Sequence, residues 1–195
     1  MAVDANGFRA AMSRLPTGVT VLTTPGTAGR HEVMTANAVT SVSLDPTLLL
    51  ASIAVRSRWL AALRQSGVFA VNILGAQHEA LARWCADRAR HERPEVIEAH
   101  PVRVAPSSGL LLLDEALAVA ECRVFAEHPA GDHVLVIGEV TALHAHEAVG
   151  PPLVFHNRGY STVPTHGHLL SVDGHPGLSP VYPPDLEVPA AAASG

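Results

Sequence analysis

Apolar and polar positions alternate along this chain in short blocks, and the blocks change period several times. Phe8, Ala11, Met12 and Leu15 recur at helical spacing behind Asp4, a good N-cap, so a first helix is predicted, stopped by Pro16 and Gly18. Residues 19–24 form a β-branched run closed by turn residues at 25–29. Two further strands are predicted over 32–42 and 47–55, separated by Asp45-Pro46. Ser57 stands at the N-cap position of a short helix with Trp59, Leu60 and Leu63 on its apolar side and Gly67 at its end. A strand over 68–74 precedes a helix over 76–88 whose apolar stripe is Leu81, Trp84 and Cys85. Residues 88–106, with mixed charge and little periodicity, read mostly as loop. Strands follow at 116–127, 133–146 and 153–160, the first two joined by a hairpin turn at Ala130-Gly131-Asp132.

Many strands with few helices predict a mainly β protein with flanking helices, built on a closed or nearly closed antiparallel barrel. Residues 1–163 read as one domain. Residues 164–195, rich in His, Pro, Gly and Ala, read as a largely irregular extension, its last ten or so residues disordered.

Composition narrows the function classes. Of 195 residues, 48% are hydrophobic and 16% charged, so the core is large or part of the surface is covered by a ligand or second subunit. A net charge of −5 without a basic stripe argues against nucleic acid. No apolar run is long enough to span a membrane, and the first residues lack the pattern of a signal peptide. The expected location is the cytoplasm. Cys85 and Cys122 have no metal-like spacing and read as small core residues. His144 and His146, and again His166 and His168, form His-x-His pairs with no acid or thiol at ligand spacing, so no metal is expected.

Three segments carry candidate chemistry. Thr35, Ala36, Asn37, Ser41, Val42 and Ser43 belong to a strand whose small side chains would let a planar ligand approach the backbone; a Thr/Ser-rich edge strand has the same composition. Arg56, Ser57 and Arg58 combine two guanidiniums and a hydroxyl with a helix N-terminus, which suits a phosphate; a capped surface helix with solvated arginines has the same residues. A ring site and a phosphate site this close in sequence suit a mononucleotide. His133, after Gly131-Asp132, can donate a hydrogen bond or proton, or can be a solvated hairpin residue.

In order, these segments resemble the flavin reductase family with the FMN-binding split-barrel fold. The resemblance rests on Phe8-Arg9, Leu15-Pro16-Thr17-Gly18-Val19-Thr20-Val21, Met34-Thr35-Ala36-Asn37 and Thr40-Ser41-Val42-Ser43-Leu44-Asp45-Pro46. Arg56-Ser57-Arg58, Phe69-Ala70-Val71-Asn72, Glu121-Cys122, Gly131-Asp132-His133 with Gly138-Glu139-Val140, and Arg158-Gly159-Tyr160 complete it. It implies an antiparallel split β-barrel and a homodimer with flavin near the subunit interface.

By that likeness Thr35, Ala36, Asn37 and the backbone of Ser41, Val42 and Ser43 contact FMN (or FAD), Ser52 and Ile53 line the site, and Arg56, Ser57 and Arg58 hold the phosphate. His133 sits near the nicotinamide of NADH or NADPH in a positioning or electrostatic role, alongside Arg158 and Tyr160. The implied reaction is hydride transfer from nicotinamide C4 to flavin N5, with reduced flavin passing to a separate monooxygenase. One segment departs from the family. Asp87-Arg88 is followed by Ala89-Arg90-His91-Glu92-Arg93-Pro94 where relatives commonly carry Phe-Ala-Gly. That departure motivates one alternative, a flavin binder with little reductase activity; a second alternative is a flavoenzyme acting directly on an organic substrate.

Overall fold

The computed structural model describes residues 3–87, 100–145 and 150–163, together with Ala89 and Ile97. The expected irregular extension at 164–195, and nearly all of the departing loop at 88–94, lie outside the described residues.

The predicted first helix is present as α1 (Ala5–Met12). Asp4 caps it, its Oδ1 accepting the amides of Asn6 and Gly7 at 2.9 Å each. Those bonds, Gly7 first, hold the Asp4 carboxyl below its ordinary range. Its periodicity does not lead to burial. Phe8, Met12 and Leu15 remain 58%, 47% and 56% exposed, so the helix carries an apolar face that the described residues leave uncovered.

The strands are β1 (Thr17–Gly18), β2 (Thr20–Pro25), β3 (His31–Ala36), β4 (Val39–Leu44), β5 (Thr47–Ala54), β6 (Val68–Ile73), β7 (Val102–Val104), β8 (Leu111–Leu113), β9 (Ala118–Ala130), β10 (His133–Ala145), β11 (Leu153–His156) and β12 (Gly159–Thr162). Helix α2 (Arg58–Ser66) follows β5, and α3 (Glu79–Ala86) follows β6 through a 3-10 turn. Seven strands form one antiparallel sheet in the order β3-β2-β6-β9-β10-β5-β4. A small sheet β1-β11-β12 and a ribbon β7-β8 complete the architecture, which is mainly β with few helices. The large sheet is not closed, because its edge strands β3 and β4 do not pair.

Three predicted elements need correction. The run 32–42 is two strands on opposite edges of the sheet, joined only by Asn37 and Ala38. The Ala36 carbonyl accepts the Thr20 hydroxyl at 2.8 Å, while the Ala38 carbonyl accepts the Ser52 amide at 2.9 Å. Two nearby carbonyls are therefore claimed by opposite edges. The run 153–160 is a hairpin, β11–β12, turning at Asn157 and Arg158 with φ of 52° and 64°, the left-handed pair that a two-residue type I′ turn requires. The 88–106 stretch contains a strand, β7, which pairs with β8.

Two apolar clusters make the core. In one, Trp59, Leu60 and Leu63 of α2 pack on Ile53 and Phe69, with the Trp59 and Phe69 rings edge-to-face at 5.8 Å. In the other, Leu81, Trp84 and Cys85 of α3 pack with Val19, Val21 and Leu112. Both cysteines are buried and outside any disulfide, and burial pushes the Cys122 thiol up to about 12. Gly138 sits where β10 slips register against β9, directly over the wholly buried Phe69 ring; a Cβ there would overlap that ring. Gly138→Ala is expected to destabilise the fold by about 1–3 kcal/mol, the usual cost of overpacking. A urea midpoint equal to wild type would show that the Phe69 ring has room to move.

Candidate functional site

Antiparallel register gathers most of the candidate residues at one end of the large sheet. On β5 and β10, Ile53 stands opposite Val134 and Ala54 opposite His133, and the Val55 amide donates to the Asp132 carbonyl at 3.0 Å. On the other side of β5 the bond between Ser52 and Ala38 brings the 37–38 link to that end. Leaving β5, the chain turns at once into the N-terminus of α2. Asn37, Ser52, the Arg56-Ser57-Arg58 turn and His133 therefore share one rim.

Ser57 is the N-cap residue of α2, but its side chain makes no cap bond. Its hydroxyl instead donates to Met34 Sδ at 3.7 Å, which ties the helix start to β3. The first-turn amides of α2 thus keep their capacity for an external acceptor. Arg56 and Arg58 are both exposed and have no hydrogen-bond or ion-pair partner among the described residues. Two unpaired guanidiniums at an uncapped helix start, on a chain of net charge −5, make a local positive site that fits a phosphate dianion.

His133 opens β10 with its ring about two-fifths exposed. Its Nδ1 lies 2.7 Å from Asp132 Oδ1. That hydrogen bond, then the imidazole's charge, holds the Asp132 carboxyl below its usual range, and the field of Arg9 adds to the effect. A carboxylate on Nδ1 leaves Nε2 as the atom that can meet a ligand.

Several candidates are placed differently from expectation. The Thr35 hydroxyl donates to the Ala82 carbonyl at 2.6 Å and so fastens β3 to α3. Ile53 is wholly buried with Trp59 and Phe69, so its side chain supports the rim from beneath. Ala36 is buried beside it. Ser41 and Val42 are exposed on β4 at a register shift, whereas the Ser43 hydroxyl is engaged with the Asp45 backbone at 3.2 Å. Tyr160 packs edge-to-face on Phe155 at 5.3 Å beneath the Arg83 guanidinium, and burial raises its phenol.

Arg158, at the β11–β12 turn, does join the rim. It lines a groove of about 470 Å³ together with Asn37, Ala38, Thr17, Phe155 and α1. The Asn157 amide donates to the Ser13 carbonyl at 2.6 Å, holding that turn against the end of α1. The Asn37 amide donates to the Thr17 hydroxyl at 3.2 Å on the groove floor. Arg9, Ala38 and Asp132 are not among the site residues read from the sequence. Helical periodicity marked the α1 face, but only the fold shows which side of it borders the rim.

Among the described residues no three His, Cys, Asp or Glu side chains are arranged to hold a metal ion, and no helix is long and apolar enough to cross a membrane.

The comparisons with known proteins agree in direction. Residues 12–164 match the family model described as flavin reductase like domain. An NADH-dependent FMN reductase of Streptomyces nodosus subsp. asukaensis is 43% identical over 158 residues, 80% of this chain and 83% of that protein. The reductase component of 4-hydroxyphenylacetate 3-monooxygenase of Thermus thermophilus is 35% identical over 158 residues, 78% of this chain and 93% of that protein. Among solved structures, the flavin reductase component of a bacterial two-component tryptophan halogenase superposes with a TM-score of 0.76 at 32% identity, over 83% of this chain and 99% of that one.

Proposed function

The chain belongs to the flavin reductase like domain family, and on that basis we propose that it reduces FMN with NADH and releases reduced flavin to a separate monooxygenase. It is an NAD(P)H:flavin oxidoreductase by kinship, and the support within its own structure is one observation. The register of β4, β5 and β10 puts the free Arg56 and Arg58, the α2 start, Asn37 and His133 on a single rim.

In this reading Arg56, Arg58 and the first amides of α2 hold the flavin phosphate, and the Ser57 hydroxyl turns from Met34 Sδ to join them. Asn37, Ser52 and the exposed backbone of Ser41 and Val42 meet the ribityl and ring edge. When bound, the flavin supplies a two-electron acceptor for the nicotinamide hydride. The residues of the chain orient the two rings and exclude water between them. Asp132 fixes the His133 ring, so that Nε2 meets the nicotinamide side in a positioning role.

The wider architecture belongs to the same proposal. Because a two-residue link joins the two sheet edges, the large sheet would curl into a split barrel. A second copy would cover the exposed apolar side chains of edge strand β4, where Leu44 is 90% and Val42 52% exposed. The setting proposed is the cytoplasm.

The test is NADH consumption, followed by absorbance, with purified protein and added FMN, FAD or riboflavin. Absence of flavin-dependent NADH oxidation with all three would overturn the proposal. His133→Ala is expected to lower kcat severalfold while leaving the FMN dissociation constant within about twofold. Unchanged turnover would remove His133 from the site.

A further inference from the structure

Ser57 occupies the turn at the start of α2, yet its side chain is engaged elsewhere. Its backbone is held on both sides: the amide donates to the Ala54 carbonyl at 2.9 Å, and the carbonyl accepts the Ala61 amide at 3.3 Å. With φ of −69° and ψ of 131° it has the extended conformation of an N-cap residue. Only the hydroxyl is left to move. Rotation about χ1 alone decides whether it faces the first-turn amides, an incoming phosphate or β3. It faces β3, donating to Met34 Sδ at 3.7 Å. Met34 and Thr35 alternate across that strand: the Thr35 hydroxyl reaches α3, while the partly buried Met34 side chain packs with the cluster that holds Trp59 and Leu60. A thioether is a weak acceptor, so this contact holds the hydroxyl without locking it.

We propose that Met34 is a positioning residue for the flavin phosphate: its sulfur parks the Ser57 hydroxyl away from the α2 start and so lowers the affinity for FMN. The inference rests on the phosphate reading of the Arg56-Ser57-Arg58 turn and adds to it a residue that acts only through Ser57. The free protein keeps the hydroxyl on sulfur, whereas a bound phosphate claims it, so each binding event breaks the contact between Ser57 and Met34. Without the sulfur, the hydroxyl turns to solvent or to the amides of its own helix. Both are weaker partners in the free protein, since the hydroxyl is found on sulfur with all three within reach. Removing the sulfur therefore raises the free protein relative to the complex, and FMN binds more tightly. If the hydroxyl stayed on sulfur in the complex, the sign would reverse, because a cap formed only in the free variant would have to break. A flavin that leaves for another protein once reduced is served by the looser hold.

The experiment titrates wild type, Met34→Leu, Ser57→Ala and the double variant with FMN and with riboflavin, followed by fluorescence. Leu is a close match to Met in a packed cluster and removes only the acceptor. Met34→Leu should bind FMN about threefold more tightly, the scale of one weak hydrogen bond, and riboflavin as wild type does. In the Ser57→Ala background the same replacement should change neither affinity, since the hydroxyl it releases is gone. Met34→Gln, which returns an acceptor oxygen, should bring FMN affinity back to that of wild type or below. A parallel gain for both flavins, or an undiminished gain in the Ser57→Ala background, would make Met34 a packing residue only. Weaker or unchanged FMN binding by Met34→Leu would show that the hydroxyl stays on sulfur in the complex or plays no part in it. Each of these results overturns the inference and leaves the phosphate reading standing. Equal affinities of the wild type for FMN and riboflavin would instead overturn the phosphate reading, and this inference with it.

Discussion

Replacing Arg56 and Arg58 together by Ala should weaken FMN binding about a hundredfold and leave riboflavin binding unchanged. Riboflavin carries the same ring and ribityl and lacks only the phosphate, so the ratio of the two affinities isolates the α2 start. Each guanidinium can offer paired N–H donors to phosphate oxygens, and a charge-assisted contact of this kind is worth about a factor of ten or more. Exposure of both side chains to solvent, and screening by salt, keep the estimate at the lower end. Wild-type FMN affinity should accordingly fall with ionic strength, while riboflavin affinity should not. Neither arginine contributes to either apolar cluster, so stability should be unaffected. At saturating FMN the double variant should retain turnover, because the ring and His133 are untouched. Fluorescence titration with both flavins decides the matter: parallel losses for FMN and riboflavin, or no loss for either, would remove the phosphate from this turn.

The same turn shows how much of the site could be read from the sequence. Arg56, Ser57 and Arg58 were legible because helix-start chemistry is local: a strand, a Ser and a following apolar stripe fix the position of the turn within a few residues. What Ser57 does there was not legible. An N-cap serine ordinarily bonds its own helix, but the β3 strand brings Met34 within reach and the hydroxyl goes to sulfur. Asn37 and Ala38 show the limit in the fold. A β-branched run with small residues reads as one strand, and only pairing with β2 on one side and β5 on the other divides it. The groove depends on longer range still. The α1 periodicity was correct, but its apolar face is uncovered, and its neighbour across the groove is a turn some 150 residues later in the chain. Thr35 and Ile53 are the converse case. Thr35 lies in a matching motif and Ile53 is placed in the site by the likeness, yet the structure uses the Thr35 hydroxyl and the Ile53 side chain to hold the rim from behind.

Asn72 is the buried residue whose replacement should cost most. It lies on β6, between β2 and β9, and is wholly buried. Its Nδ2 donates to the Val21 carbonyl at 3.0 Å and its Oδ1 accepts the Leu113 amide at 2.8 Å. Leu113 belongs to β8, which lies outside the large sheet, so this side chain, with the Thr23 hydroxyl on the Leu111 carbonyl at 2.6 Å, fastens the β7–β8 ribbon to the sheet. Asn72→Leu keeps the branching and the number of side-chain heavy atoms but removes the partner of both backbone groups. A carbonyl with two lone pairs tolerates the loss better than an amide with one hydrogen, so most of the penalty falls at Leu113. At about 1–3 kcal/mol for each stranded group, a total near 3 kcal/mol is expected in urea unfolding. Asn72→Asp should be at least as costly, since it keeps the acceptor, loses the donor and places a charge in the core. The local signature separates this account from a general packing defect: amide exchange in the described residues should accelerate first at 111–113, where the ribbon is released. Uniform acceleration through the second apolar cluster, or a midpoint equal to wild type, would mean that Asn72 is a filler of space and not the tie between ribbon and sheet.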